Sequence, residues 1–207
     1  MAAAQEHLEG EDGTPLAFRR AVGALRTARV RQEVALEATP APKRLAPYAY
    51  ALEAAVTVEG EELADGRLVL LHDPGEPEGW HGSFRLVTLA RAELEPEMAA
   101  DPLLPEVCWS WLTGALEARG AVYTEVSGTV SRSSSHHFGG LADRPDSTQI
   151  EVRASWTPGE TAAGGPDAAA HLSAWCELLC TCAGLPPAAA DPGATGVVSL
   201  PNRRGPR

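Results

Sequence analysis

Lysine, isoleucine and asparagine are almost missing from this chain: Lys43, Ile150 and Asn202 are the only ones. All three have AT-rich codons, so their scarcity beside abundant alanine, glycine, proline and arginine marks a GC-rich genome and bears on no function. Positive charge is short too. The 28 acidic and 17 basic side chains leave a formal charge of -11, a field that repels phosphate backbones and anionic membranes. Neither nucleic acid nor membrane is therefore expected as a partner. No apolar run approaches the roughly 18 residues of a spanning helix. The acidic start, Met1–Gly13, lacks the apolar stretch of a signal peptide. Cysteines are few, and three of the four (Cys108, Cys176, Cys180 and Cys182) fall inside one apolar helical pattern, which is no disulfide framework. A reducing cytoplasm is the expected location. The glycines form neither a dinucleotide fingerprint nor a Walker loop, and no Gly-x-Ser-x-Gly elbow occurs.

What is present suffices for a core. Of 207 residues, 44% are hydrophobic, and a chain of this size buries roughly 70% of the surface its unfolded form exposes. One domain is expected over 14–185, between a disordered tail at 1–13 and a mostly flexible tail at 186–207. Thr14-Pro15 reads as an N-cap before a short helix with Phe18, Ala21, Val22 and Leu25 on one stripe. Alternation then predicts strands at Val30–Thr39, Tyr48–Val58, Arg67–Leu71 and Phe84–Glu93. A helix follows at Leu103–Arg119, with Leu104, Val107, Cys108, Trp111, Leu112 and Ala115 inward. Strands at Val122–Val130 and Ile150–Thr157, a linker at Gly159–Pro166 and a helix at Asp167–Ala183 complete the order; Gly196–Leu200 adds a candidate edge strand. The fold class is α+β: an antiparallel sheet of about six strands, charged on one face, with the helices gathered on the apolar face.

Each candidate for chemistry has a plainer reading beside it. Zinc takes four ligands in paired Cys spacings, but Cys182 points away from Cys176 and Cys180 and Cys108 lies on another helix, so buried thiols are expected. His72, His81, His136 and His137 can gather around loops, yet no carboxylate motif accompanies them and rim histidine is the expectation. Glu93, Glu95 and Glu97, followed by Asp101, read as a solvated acidic rim rather than two carboxyls across a cleft. Ser131, Ser133, Ser134 and Ser135 beside Gly139-Gly140 read as a turn. Arg19, Arg20, Arg26, Arg29 and Arg31 make a basic patch that strand glutamates can pair. Trp111, Trp156 and Trp175 fall on core faces. Trp80, in the Pro/Gly loop Asp73–Gly82, and Trp109, at the edge of its helix stripe, are the aromatic residues placed to serve a partner surface, with His81 beside Trp80.

Particular segments carry a resemblance: "RLAPYAYAL" at Arg44–Leu52, "GRLVLLHDP" at Gly66–Pro74, "FRLVTLARAELEPEMAADPLLPEVCWSWLTGALE" at Phe84–Glu117, "EVRASWTP" at Glu151–Pro158 and "HLSAWCELLCTCAGLPP" at His171–Pro187. Together they resemble an actinobacterial family, domain-of-unknown-function family 3000, over about Pro15 to Pro187. That resemblance implies no activity, cofactor or catalytic residue. The element order is also similar to that of type III secretion chaperone-like proteins, in which a helix-covered antiparallel sheet holds a protein partner; here the first half carries one strand more. The expected function is a non-catalytic cytoplasmic protein-binding, adaptor or chaperone-like domain that binds a protein or itself and holds no cofactor. The alternative is an enzyme or small-ligand protein with a site assembled from scattered residues.

Overall fold

The computed structural model describes residues 13–95, 98, 101–162 and 164–187. Apart from 13, 186 and 187, the expected tails lie outside the described residues, as do Glu97 and the edge strand expected at Gly196–Leu200.

Helix α1 spans Leu16–Thr27 and buries Phe18, Ala21 and Leu25, one stripe of its surface. It starts later than Thr14-Pro15 suggests. Pro15 is the N-cap, no side chain caps the helix, and the proline carbonyl itself accepts from Arg19 N at 3.0 Å. Strand β1 covers only Val34–Thr39. Val34 N donates to Arg31 O at 3.1 Å, and an Arg31–Glu33 ion pair of 3.3 Å holds the turn. That turn keeps Val30 to Gln32 out of the sheet, while Glu33 O still accepts from Thr57 N of the next strand at 2.9 Å.

Strands β2, Tyr48–Val58, and β3, Glu61–His72, form a long hairpin. The connection after Val58 is only Glu59 and Gly60, with φ of 53° and 88°. Two successive positive φ values make a type I′ turn, whose twist matches that of the strands. Arg67–Leu71 therefore lies in the second half of a twelve-residue strand. Strand β4, Phe84–Leu94, follows, and then α2, Leu104–Ala118, which buries Leu104, Cys108, Leu112, Ala115 and Leu116. Val107, expected inward, is 38% exposed, because the buried stripe turns toward Leu116 instead.

Strand β5 spans Tyr123–Ser135 and β6 spans Ser147–Pro158. The serines expected in a turn lie in β5 and pair from Ser131↔Glu151 to Ser135↔Ser147. An edge strand open to water on both faces needs only its backbone ladder there, and serine does not oppose it. The Gly159–Pro166 segment is tied by a Glu160↔Pro166 bridge and a Thr161 N to Gly165 O bond of 2.8 Å, so it is a built turn rather than a loose linker.

The sheet order is β1-β2-β3-β4-β6-β5, and every neighbouring pair is antiparallel. Helix α2 carries the chain from β4 past the place that β6 fills, which leaves β5 at the edge. The last helix, α3, Ala168–Cys182, starts with Asp167 accepting from Ala170 N at 3.1 Å. It is buried nearly all round, so it takes the central position: it lies on β2, β3 and β4, and both α1 and α2 pack on it. Its approach to the sheet is close at Gly66. A Cβ there would stand 2.8 Å from Leu89 O, 2.9 Å from Leu179 Cδ2 and 3.0 Å from Trp175 Cζ2. The class is thus α+β, in the order helix, four strands, helix, two strands, helix, with the long helices on the apolar face.

Candidate functional site

Strand alternation decides what the two faces carry. On β3, β4 and β6 the even-numbered residues Leu68, Leu70, Leu86, Ala90, Val152 and Trp156 belong to the core beneath the helices. The odd-numbered residues of the same strands form the opposite face. It holds ion pairs: Arg91 to Asp65 at 2.7 Å, Arg67 to Glu53 at 3.5 Å and Arg153 to Glu151 at 2.7 Å. It is not uniformly polar. Ala51, Val69 and Leu71 are buried there as a second small cluster, against which Trp80, Val87, Ala41 and Ala46 pack.

The loop between β3 and β4 supplies this cover. Asp73 Oδ1 accepts from Gly75 N at 2.8 Å, Trp80 N donates to Pro77 O at 2.8 Å, and Glu76 and His81 take φ of 48° and 53°. The loop is fastened across the sheet at two points. Thr157 Oγ1 on β6 donates to Trp80 O, and His81 Nδ1 pairs with Glu125 Oε1 on β5 at 3.1 Å.

Beside the covered patch the face stays open as a trough of about 450 Å³. Val69, Val87 and Leu89 form its floor, Arg67 and Arg153 flank it, and Ser127 and Ser155 close one side. No carboxylate lines it. Both arginines are held by carboxylates just outside the trough, Arg67 by Glu53 and Arg153 by Glu151. A second, more polar hollow of about 860 Å³ continues toward β1 and is lined by Glu37, Glu53, Glu62, Asp65 and Arg91.

Arg85 sits at the end of the trough, only 9% exposed. Its Nη1 donates to Thr157 Oγ1 at 3.0 Å, and its Nη2 donates to Ser155 Oγ at 2.7 Å and Ser127 Oγ at 3.4 Å. Among the described residues no carboxylate stands within ion-pair distance of it. Burial pushes its pKa down, and the more distant Glu125 opposes that shift.

Trp80 and His81 thus share the loop on this face, Trp80 half-buried and His81 exposed. Trp109 does not join them. It is half-buried on the helix side, its ring 2.8 Å from where a Cβ of Gly128 would lie. The four histidines are not gathered. His72 is buried rather than on a rim: its ring stacks on Phe84 at 4.2 Å and Phe18 at 6.0 Å, and its Nδ1–H donates to Ser83 O at 2.9 Å. An even position on β3 turns it into the core among aromatic rings. His136 pairs with Asp146 at 2.7 Å on the surface.

The groups with large pKa shifts are all core groups. Burial pushes the thiols of Cys108 up to about 11 and of Cys176 and Cys182 up to about 12, and raises Cys180. All four are buried and free. Burial, opposed by Asp167, holds the His171 imidazole down at about 4. Its Nδ1 accepts from Trp156 Nε1–H at 3.1 Å. Among the described residues no three His, Cys, Asp or Glu side chains stand close enough to hold a metal ion. No helix of the described residues is long and apolar enough to cross a membrane.

The residues that build the trough are absent from the sequence-derived candidates. One signal for them exists: Val87 and Leu89 lie among Arg85, Arg91 and Glu93 on what alternation marks as the charged face of β4. Two large apolar residues on a face without helices are the trace of a groove.

Fold and face together define an α+β domain with one sheet face under helices and the other left partly open. The chain belongs to the family described as "Protein of unknown function (DUF3000)", which matches residues 14–191. No curated protein and no solved structure matches it.

Proposed function

We propose that this protein is a non-catalytic, cytoplasmic binding domain that takes a segment of a partner polypeptide on the open face of its sheet. The observation that carries this reading is the trough itself: an apolar floor of Val69, Val87 and Leu89 between Arg67 and Arg153, with no helix above it. Apolar surface left in water at about 25 cal/mol per Å² is a source of binding energy. The open, shallow form suits an extended segment better than an enclosed small molecule. Arg85, which has no carboxylate at ion-pair distance among the described residues, favours an acidic residue in that segment, and the overall charge of -11 opposes nucleic acid. A catalytic reading finds less support, since the strongly shifted groups, His171 and the thiols, are sealed in the core. The buried free thiols suit a reducing compartment.

The test is selective loss of a partner. Leu89→Asp and Arg153→Glu are expected to abolish co-elution of the partner polypeptide from native cytoplasm with melting temperature unchanged. Val107→Asp on the exposed edge of α2 is expected to leave it intact. Loss through the Val107 variant, or retention in both groove variants, contradicts the assignment.

A further inference from the structure

Arg85 is buried on β4 with no carboxylate at ion-pair distance among the described residues. A buried guanidinium normally finds a carboxylate, because taking the charge out of water costs several kcal/mol. Arg85 finds three hydroxyls instead, those of Ser127, Ser155 and Thr157. Hydroxyl oxygens satisfy its N–H groups but do not neutralise its charge.

The protons of those hydroxyls are the informative part. Each accepts from Arg85, so each must turn its own O–H elsewhere. Thr157 spends its proton on Trp80 O and thereby fastens the loop. Ser127 and Ser155 have no acceptor among the described residues, and both line the trough. The result is a pair of donor hydroxyls at the trough surface, each polarised from behind by one positive charge. Arg153 stands on the same wall. Two hydroxyl donors backed by a guanidinium match the two oxygens of a carboxylate, and charge-assisted hydrogen bonds are about twice as strong as neutral ones.

We infer that Ser127 and Ser155, backed by Arg85, are the carboxylate-binding end of the trough, where a bound polypeptide segment sets an acidic side chain next to the aliphatic residue that lies on Val87 and Leu89. This rests on the groove reading above and adds the chemistry of one subsite to it. The neighbouring hollow holds Glu37, Glu53, Glu62 and Asp65 beside Arg67 and Arg91, and those arginines are already paired with Glu53 and Asp65.

The full chain, labelled with nitrogen-15, is titrated with acetyl-Leu-Glu-Leu-amide and with its Gln counterpart, following the amide signals of residues 127 and 155. The expected result is that the Glu peptide shifts both signals and binds about tenfold more tightly than the Gln peptide, the value of one charge-assisted hydrogen bond. Ser127→Ala with Ser155→Ala keeps the charge and is expected to erase that preference, and Arg85→Gln is expected to do the same, with circular dichroism reporting the fold of both variants. Equal affinity for the two peptides, or a Glu preference that survives the double serine change, overturns the inference. So does octanoate, if it moves these signals where the Glu peptide does not, since the carboxylate then belongs to a free amphiphile. Failure here with selective partner loss in the Leu89→Asp variant removes the subsite and leaves the groove; the reverse pattern removes the groove partner and leaves the subsite.

Discussion

Burying an imidazole against Trp156 ties stability to pH through a single residue. His171 is held at about 4 when folded, and an imidazole in the unfolded chain titrates near 6.5. Between those values the unfolded state binds more protons, so stability falls as pH drops from 6.5 to 4. Above and below that window the group contributes no slope. The span corresponds to at most about 3 kcal/mol. In a pH titration the His171 ring signals are expected to stay constant from pH 8 to 5.5; His171 titrating near 6.5 would contradict its burial. The thiols give a second check. With pKa values raised by burial to about 11 and about 12, Cys108, Cys176 and Cys182 are expected not to react with a thiol reagent at pH 8 until the chain is unfolded. Fast reaction of any of the three in the folded protein would contradict the packing. Trp80 changes meaning once its neighbours are known. Sequence places it in a polar loop, which suggests an exposed anchor; the fold sets its ring on Ala51, Val69 and Leu71. Trp80→Ala is expected to cost about 1.5–3 kcal/mol, so an unaltered urea midpoint would count against that contact.

At the scale of elements, alternation carried most of the legible information. The strands of β2, β4 and β6 and the stripe of α1 follow from period-2 and helical spacing, because one face of each is buried and the other is wet. What escaped has separate physical reasons. The lower half of β3 was invisible because Glu61 and Glu62 look like loop residues until the I′ turn at Glu59-Gly60 pins them opposite Val58 and Thr57. The end of β5 was invisible because an edge strand needs no apolar residue, so Ser131 to Ser135 resemble a turn. The candidate site was the least legible part. Arg85, Ser127 and Ser155 come from three strands, and only the β4-β6-β5 order, unmarked in sequence, brings them together. The close seat of α3 on the sheet leads to an expected outcome of its own. Gly66→Ala forces a methyl group against Leu89 O and the Trp175 and Leu179 side chains, at about 1–3 kcal/mol for overpacking. A chemical denaturation midpoint equal to that of the parent would show that α3 sits further away.

At the scale of the whole molecule, the fold separates what must be dry from what can meet a partner. Three helices close one face of the sheet over Trp156, Trp175 and His171. The loop that ends at Gly82 covers part of the other, and the trough between Arg67 and Arg153 remains. The claim that this face receives a polypeptide is tested most directly by where a partner touches the molecule. A photo-crosslinking residue at position 89, inside the trough, is compared with one at position 114, on the outer side of α2 where no atom lies within 4 Å of an added Cβ. In extract of its source cells the account predicts one discrete polypeptide adduct from position 89, competed away by unlabelled protein, and none from position 114. Adducts at position 114 with none at position 89 would contradict it.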